Sequence, residues 1–303
     1  LLKKADLQVT ILMSTLLDTV RVLHLEPTDV CQAACPLCAR ETDANFNKDK
    51  HHYLTVESIK KLLEEKIISQ LDKMFMCGNY GDPAANRQSA DIFSYFRKIN
   101  PDIVLGMNTN GGLQNTTWWR DVANILNQPQ DYAVFSIDGL KDTNHIYRRN
   151  VNWDLVMKNA KAFIQAGGSA HWDMLVYAHN EHQVDDCQRL AQEMGFTWFR
   201  AKVSKRQATV DWLTQPKNWS RHEVSTGPVD CFRNNDQSLY LSAQGVLHPC
   251  CWLGTGSETI NEFDQIQASW NTNDCNPVCK KTCSTVDNQS NFTNQWQRNV
   301  QLC

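Results

Sequence analysis

The amino-acid sequence predicts an α/β protein made of six consecutive parallel β/α units, followed by a small cysteine-dense module. Two observations carry this reading. Strand-like apolar runs alternate with helical patterns as far as about Gln207, and strands separated by helices of that length pair in parallel. Beyond that point long helical patterns stop, and six of the twelve cysteines fall between Cys231 and Cys283. The first strand is expected at Val20–Glu26, followed by a cysteine-bearing loop and a helix near Thr55–Gln70, for which Thr55 is a suitable N-cap. Lys73–Cys77 reads as the second strand, leading through a Gly-rich turn to a helix at Gln88–Ile99. Asp102–Met107 is the third, with a helix around Thr117–Leu126. Tyr132–Ile137 is the fourth, and its helix at Trp153–Gln165 stops at Gly167-Gly168. Ala170–Ala178 and the helix Glu181–Met194, ended by Gly195, form the fifth unit, and Phe196–Val203 is the sixth strand. Parallel crossovers are right-handed, so six such units curl toward a barrel or an open sheet. Pro216, Asn218, Gly227 and Pro228 mark a linker. The expected division is an N-terminal extension over 1–19, the α/β domain over 20–207, a linker over 208–227 and the cysteine module over 228–303.

Composition narrows the function classes. The 303 residues are 42 % hydrophobic and 21 % charged, which excludes wholesale disorder. Thirty Lys and Arg against 33 Asp and Glu leave a net charge of −3, which argues against a protein that grips nucleic acid through phosphate charge. No run approaches the roughly 20 apolar residues of a membrane span. Leu1–Leu25 is interrupted by Thr10, Ser14, Thr15 and Asp18 and lacks a small-x-small cleavage site, so no signal peptide is expected and the cytoplasm is the expected location. Met13 is the first methionine and the expected natural start. Twelve cysteines in a chain of this size point to metal or redox work in preference to a disulfide scaffold.

The sharpest motif is Cys31-Gln-Ala-Ala-Cys35-Pro-Leu-Cys38, directly after the first strand. Loops at the C-terminal ends of barrel strands are where active sites are built, and Pro36 interrupts any helix through the run, which lets a loop wrap three thiolates around one centre. Thiolates ligate iron–sulfur clusters, and three of them leave one iron of a cubane open; a structural zinc site or buried thiols are the alternatives. The run resembles the signature of the radical S-adenosylmethionine (radical SAM) enzymes. The resemblance implies a partial (β/α)6 TIM-like barrel. It also implies a 4Fe–4S cluster whose open iron chelates S-adenosylmethionine, and reductive cleavage to a 5′-deoxyadenosyl radical that abstracts a substrate hydrogen. The position before the third cysteine, commonly aromatic in the family, is Leu37 here, which is expected to lie against the adenine.

Other strand ends match the same pattern. Cys77-Gly78-Asn79-Tyr80-Gly81-Asp82-Pro83 resembles the family's Gly-Gly-Glu-Pro element, which holds the methionine ammonium group, with Asp82 in the acidic place. Glycines permit close backbone approach and a carboxylate complements a cation, although the segment also suits an ordinary turn. Asn108-Thr109-Asn110-Gly111 resembles Thr-Asn-Gly, and Ser136-Ile137-Asp138-Gly139 resembles Ser-x-Asp-Gly. The resemblance implies that Asn108, Asn110, Ser136 and Asp138 line the cofactor and substrate cavity. Arg148 or Arg149 would then fork onto the cofactor carboxylate. Turn chemistry is the alternative for each of these Asn, Asp and Gly positions.

The C-terminal module opens as Cys231-x13-Gly245-x4-Cys250, similar to the SPASM and twitch modules that hold auxiliary 4Fe–4S clusters. The continuation is short, Cys275-x3-Cys279-x3-Cys283, so the twitch form with one auxiliary cluster is the closer likeness. The expected ligands are Cys231, Cys250, Cys279 and Cys283, with Cys275 the alternate and a structural zinc the alternative occupant. Cys187 lies in a helical pattern and reads as a buried thiol; Cys77 and Cys251 are candidate hydrogen-atom donors. Trp118-Trp119 fits a helix docked on the sheet, and His51-His52 and His179 lack partners at ligand spacing.

The expected activity is radical SAM modification of a ribosomally made peptide, served by an external electron donor such as flavodoxin or ferredoxin. The alternatives are a radical SAM enzyme acting on a small molecule, and a non-catalytic zinc-binding interaction protein. The molybdopterin-precursor branch is not expected, since its tail ends in Gly-Gly and this sequence ends in Leu302-Cys303. With thirty residues before Cys31, a leader-binding domain is not expected ahead of the cluster loop.

Overall fold

The computed structural model describes residues 17–204, 212–219, 227–256, 258–286, 289–290 and 296–303. Met13 and most of the expected N-terminal extension, and parts of the linker, lie outside the described residues. Six parallel strands follow one another in space as in sequence: β1 (Val22–Leu25), β2 (Lys73–Met76), β3 (Val104–Thr109), β4 (Tyr132–Ser136), β5 (Ala170–Val176) and β6 (Trp198–Val203). Each crossover carries helix, as the alternating pattern requires. Their caps are readable in sequence: Asn115 Oδ1 accepts from Trp118 N at the start of helix Thr116–Ile125, and Asn152 does the same for Leu155 N of helix Trp153–Gln165. Gly195, with φ of 86°, ends helix Val184–Met194 in the left-handed conformation that a residue without Cβ adopts freely.

The sheet is larger than six strands. β7 (Ser238–Leu241) comes from the expected module yet pairs parallel with β1, Leu23 opposite Leu239 and Leu25 opposite Leu241. β8 (Leu247–His248) folds back antiparallel on β7. A two-stranded ribbon, β9 (Thr285–Val286) and β10 (Gln289–Ser290), stands apart. β11 (Arg298–Gln301) then returns to pair antiparallel with β6. The nine-stranded order is β11-β6-β5-β4-β3-β2-β1-β7-β8, an open sheet with a partial barrel of parallel strands at its centre. Part of the expected linker is also docked: Leu213 is buried in the main core, and Glu181 accepts from the backbone N–H of Lys217 and Asn218.

The expected single helix at Thr55–Gln70 is two, Val56–Leu62 and Glu65–Ser69. Leu63 between them is extended and buried at 3 % exposure, so the chain breaks the helix to drive that leucine into the core. Sheet and helices share one core, in which Trp119 packs on Phe135 at 5.1 Å and on Phe163 at 6.2 Å. No helix among the described residues is long and apolar enough to cross a membrane.

On the barrel's inner side, His24 of β1 is stacked on Phe75 at 4.4 Å and lies edge-on to Tyr240 at 4.9 Å. Its Nε2 sits 2.6 Å from Cys77 O, a distance that fits a neutral ring donating to the carbonyl. Burial pushes its pKa down from 6.5 to about 4. A histidine depressed in the fold stays uncharged there while the unfolded chain takes up a proton. Its stabilising contribution is therefore complete above about pH 6.5 and is lost as pH falls toward 4, amounting to about 3 kcal/mol over the window. Urea midpoints measured at pH 7 and pH 5 should fall further for the wild type than for His24→Gln, whose amide keeps the donor without titrating. Equal falls would remove His24 from the account.

Candidate active site

The C-terminal ends of the strands open onto a cavity of about 550 Å³. Cys31, Cys35 and Cys38 all line it, from the loop that follows β1. Opposite them lie Cys77 and the loop Gly78–Asp82 after β2, then Asn108, Thr109 and Asn110 after β3, and Ser136 at the end of β4. Tyr147, Arg148, Leu175, Lys202 and Ser204 continue the wall, which Trp252, Thr255, Val278, Lys281 and Thr282 of the cysteine module complete.

The cysteine loop is set by its own backbone and by neighbours that suit thiolates. Cys38 N donates to Cys35 O at 3.0 Å, closing the turn around Pro36. Cys31 Sγ accepts from Ala33 N at 3.4 Å and from Asn110 Nδ2 at 3.5 Å. Burial pushes the thiols of Cys31 and Cys35 up, and the Arg148 guanidinium beside Cys35 pulls the latter back. N–H donors and a cation aimed at sulfur are what an anionic thiolate cluster requires, so these residues fit the family's cluster.

The second loop is packed too tightly for side chains at its glycines. A Cβ at Gly81 would stand 1.8 Å from Thr28 O, and one at Gly78 would stand 2.2 Å from Gly81 O. Asp82 is 5 % exposed and takes three donors: Ala84 N at 2.9 Å and Thr109 Oγ1 at 2.8 Å on one oxygen, Asn110 N at 2.7 Å on the other. It therefore knots the β2 loop to the end of β3. Burial pushes its carboxyl up, and these donors draw it back toward the ionised form. Tyr80 stacks on Phe46 at 4.4 Å and donates to Asp43 at 2.7 Å, which fixes the loop's outer side.

Several residues singled out from the sequence lie off this cavity. Leu37 turns into the main core at 3 % exposure and does not line the cavity, because an aliphatic side chain gains more from burial there. Pro83 is likewise buried and opens the short 3-10 turn Pro83–Ala85. Asp138 is fully buried and off the cavity wall: Arg148 Nε donates to it at 2.6 Å and Leu175 N at 2.6 Å. Burial opposes the Arg148 charge, and Asp138 more than offsets it. One edge of the Arg148 fork is thus spent on the protein. Cys251 does not line the cavity; its carbonyl accepts from Asn79 Nδ2 at 2.7 Å. Lys202, Ser204, Tyr147 and the module residues on the wall were not singled out from sequence, since nothing in their spacing distinguishes them.

In the module, an antiparallel bridge between Val229 and Ser284 and the bond from Asp230 N to Cys283 O at 2.9 Å bring Cys231 beside Cys283. The two thiols interact directly, and the hydrogen bond from Cys283 draws the Cys231 thiol down. Cys250 and Cys279 lie within electrostatic range of Cys231 and join a second small core with Leu253 and Ile266. Cys275 is only partly buried, with its Sγ 3.7 Å from Asn276 O. Arg233 is 8 % exposed, stacks over Phe263 at 4.5 Å, and has a buried Nε with no hydrogen-bond partner while standing close to Cys231 and Cys250. A buried guanidinium with an unspent donor beside gathered thiols fits a negatively charged group at that place. Among the described residues, no three or more His, Cys, Asp or Glu are grouped so as to hold a single metal ion. None of the twelve cysteines is in a disulfide.

Residues 25–191 match the sequence model of the Radical SAM superfamily. That match spans more than half of the chain, and the protein belongs to the radical SAM superfamily of enzymes. The fold is similar to that of Streptococcus suis SuiB bound to S-adenosylmethionine, with a TM-score of 0.60 and 13 % identity over 85 % of this chain and 67 % of that one. It is also similar to anSMEcpe with bound AdoMet, with a TM-score of 0.59 and 13 % identity over 88 % of this chain and 81 % of the other. SuiB bound to its precursor peptide SuiA gives a TM-score of 0.58 at 14 % identity, over 86 % of this chain and 66 % of that one. No curated protein sequence matches the chain.

Proposed function

We propose that this enzyme uses S-adenosylmethionine to modify a ribosomally made peptide, with one auxiliary cluster held by the cysteine module. The observation that carries the reading is the single cavity in which Cys31, Cys35 and Cys38, the loop Gly78–Asp82 and the module residues Trp252, Thr255 and Lys281 share one wall. Peptide-bound SuiB, whose fold this chain resembles, supports the substrate class. When bound, the family's cluster and cofactor supply a reductive cleavage that yields a hydrogen-abstracting radical. The chain's own residues hold and shape that chemistry. Cys31, Cys35 and Cys38 hold the cluster. The backbone of Gly78–Gly81 and the Asp82 carboxylate receive the methionine ammonium group. Asn108, Asn110 and Ser136 line the remainder of the cofactor site, and the Arg148 guanidinium, which also lines the cavity, faces the cofactor carboxylate. Cys231, Cys250, Cys279 and Cys283 hold the auxiliary cluster. Cys77 lines the cavity and is placed to return a hydrogen atom, whereas Cys251 is screened from it. Electrons come from an external donor of the flavodoxin or ferredoxin class.

The test is an anaerobic reaction of the reconstituted enzyme with candidate peptides, read by mass spectrometry for a changed peptide mass and for 5′-deoxyadenosine. Turnover of small molecules and of no peptide would overturn the substrate class. Asp82→Ala provides a second check. Removing a charge-assisted contact costs about 1.5–3 kcal/mol, so S-adenosylmethionine affinity should fall ten- to a hundredfold with iron content unchanged. Affinity within twofold of wild type would take the ammonium group away from this loop.

A further inference from the structure

Glu26 is a charged residue directly after β1, and three separate segments meet on it. It is 1 % exposed and does not line the cavity. One carboxylate oxygen accepts from Tyr80 N at 2.7 Å and from Gly81 N at 3.1 Å. The other accepts from the phenol of Tyr240, on β7. A buried carboxylate is strongly unfavourable unless donors surround it, and here every donor comes from another element. The cofactor loop is folded directly over it, since a Cβ at Gly78 would stand 2.7 Å from Glu26 Oε1.

Tyr240 reaches the cysteine module in turn. It is fully buried, and Gly254, in the loop that carries Cys250 and Cys251, lies against its ring, where a Cβ would stand 2.4 Å away. The contact from Asn79 Nδ2 to Cys251 O at 2.7 Å makes a second link between the same two loops. The loop Gly78–Asp82 is therefore gripped from β1 below and from the Cys250–Thr255 loop at its side.

We propose that Glu26 and Tyr240 are positioning residues that couple the seating of the cysteine module to the affinity of the Gly78–Asp82 loop for S-adenosylmethionine. The proposal rests on the reading of that loop as the cofactor site. Coupling of this kind is reciprocal: what the module does for the cofactor, the bound cofactor does for the module.

The experiment uses the full chain with its iron–sulfur content restored, and S-adenosylmethionine as the probe. Tyr240→Phe keeps the ring and removes one donor from a buried charge, and should weaken binding about tenfold at unchanged iron content. Glu26→Gln keeps an acceptor for both backbone N–H groups and an amide facing the phenol, and should bind within about threefold of wild type. Glu26→Ala strands all three donors and should lose more affinity than Tyr240→Phe. Hydrogen exchange of the unmodified protein gives a readout that needs no variant. Adding S-adenosylmethionine should slow exchange in 78–82 and also in 238–255, and in Tyr240→Phe the slowing over 238–255 should shrink. Binding by Tyr240→Phe within twofold of wild type, or no cofactor-dependent slowing over 238–255 in the unmodified protein, overturns the proposal. Slowing confined to 78–82 overturns the coupling alone and leaves the cofactor site standing. No binding by the unmodified protein overturns the cofactor site and the coupling together.

Discussion

Replacing Cys31, Cys35 and Cys38 together by alanine is expected to lower the iron content of the anaerobically reconstituted protein from about eight per chain to about four, the difference being one cubane. Reductive cleavage of S-adenosylmethionine should disappear altogether. The loss is large because these three thiols, all from one loop, are the proposed ligands of that cubane; Cys77, which also lines the cavity, belongs to the opposite loop and is not among them. The barrel itself should survive. Leu25, Met76, Phe135 and Trp119 anchor a core carried mainly by strands and helices, of which Cys35 is one buried member among many, so the circular dichroism of the triple variant should match the wild type. Equimolar zinc with no acid-labile sulfide in the wild type would overturn the cluster assignment.

Cys279→Ala is expected to remove the auxiliary cluster and to open the segment from about Cys250 to Cys283 to protease. The reason is the size of the local core. Ile260 alone of this segment is a buried member of the main core; Leu253, Ile266 and Cys279 form a separate small cluster, too little apolar surface to hold a segment of that length without a bound group. β7 should resist cleavage, because Leu239 and Leu241 belong to the main core. Uncoupled formation of 5′-deoxyadenosine should persist while turnover of the true substrate fails. Cys275→Ala, at a partly buried thiol away from the Cys231–Cys283 contact, should leave iron and proteolysis unchanged. The reverse result for the two variants would exchange their roles, and indifference to both would mean that the module holds no cluster.

The six parallel strands and the loops they deliver are legible because short apolar runs alternate with helical patterns along this stretch of the chain. The three cysteines, the Gly78–Asp82 loop and the asparagines of β3 could be placed on one cavity because strand ends in this architecture share one face. What escaped notice has physical causes. β11 is Arg-Asn-Val-Gln, a short edge strand with no apolar alternation to announce it. β7, Ser-Leu-Tyr-Leu, is buried throughout, but a pattern does not tell which strand a late segment will join. The family likeness sets Leu37 against the adenine, whereas the side chain is buried in the main core. The pairing of Asp138 with Arg148 spans ten residues and joins two groups, each of which reads as a ligand contact alone. Glu26 left a trace in the sequence: a carboxylate between Leu25 and Pro27, at the end of a strand, has no reason to be there unless something donates to it.

The antiparallel strands at both margins of the sheet bear on how the protein is made. On the ribosome, β1 through β6 emerge first, with two open rows of backbone N–H and C=O groups that only later segments cover. β7 must close one row, and β11 reaches the other only after the whole cysteine segment has been synthesised. A nascent chain in that interval presents flat parallel edges to its neighbours on the same message, the state in which strand exchange and aggregation begin. Were the proposed auxiliary cluster to fold the segment between β8 and β11, supplying iron and sulfide during synthesis would shorten the exposure, and the yield of soluble protein would respond to cluster availability before any catalytic property did.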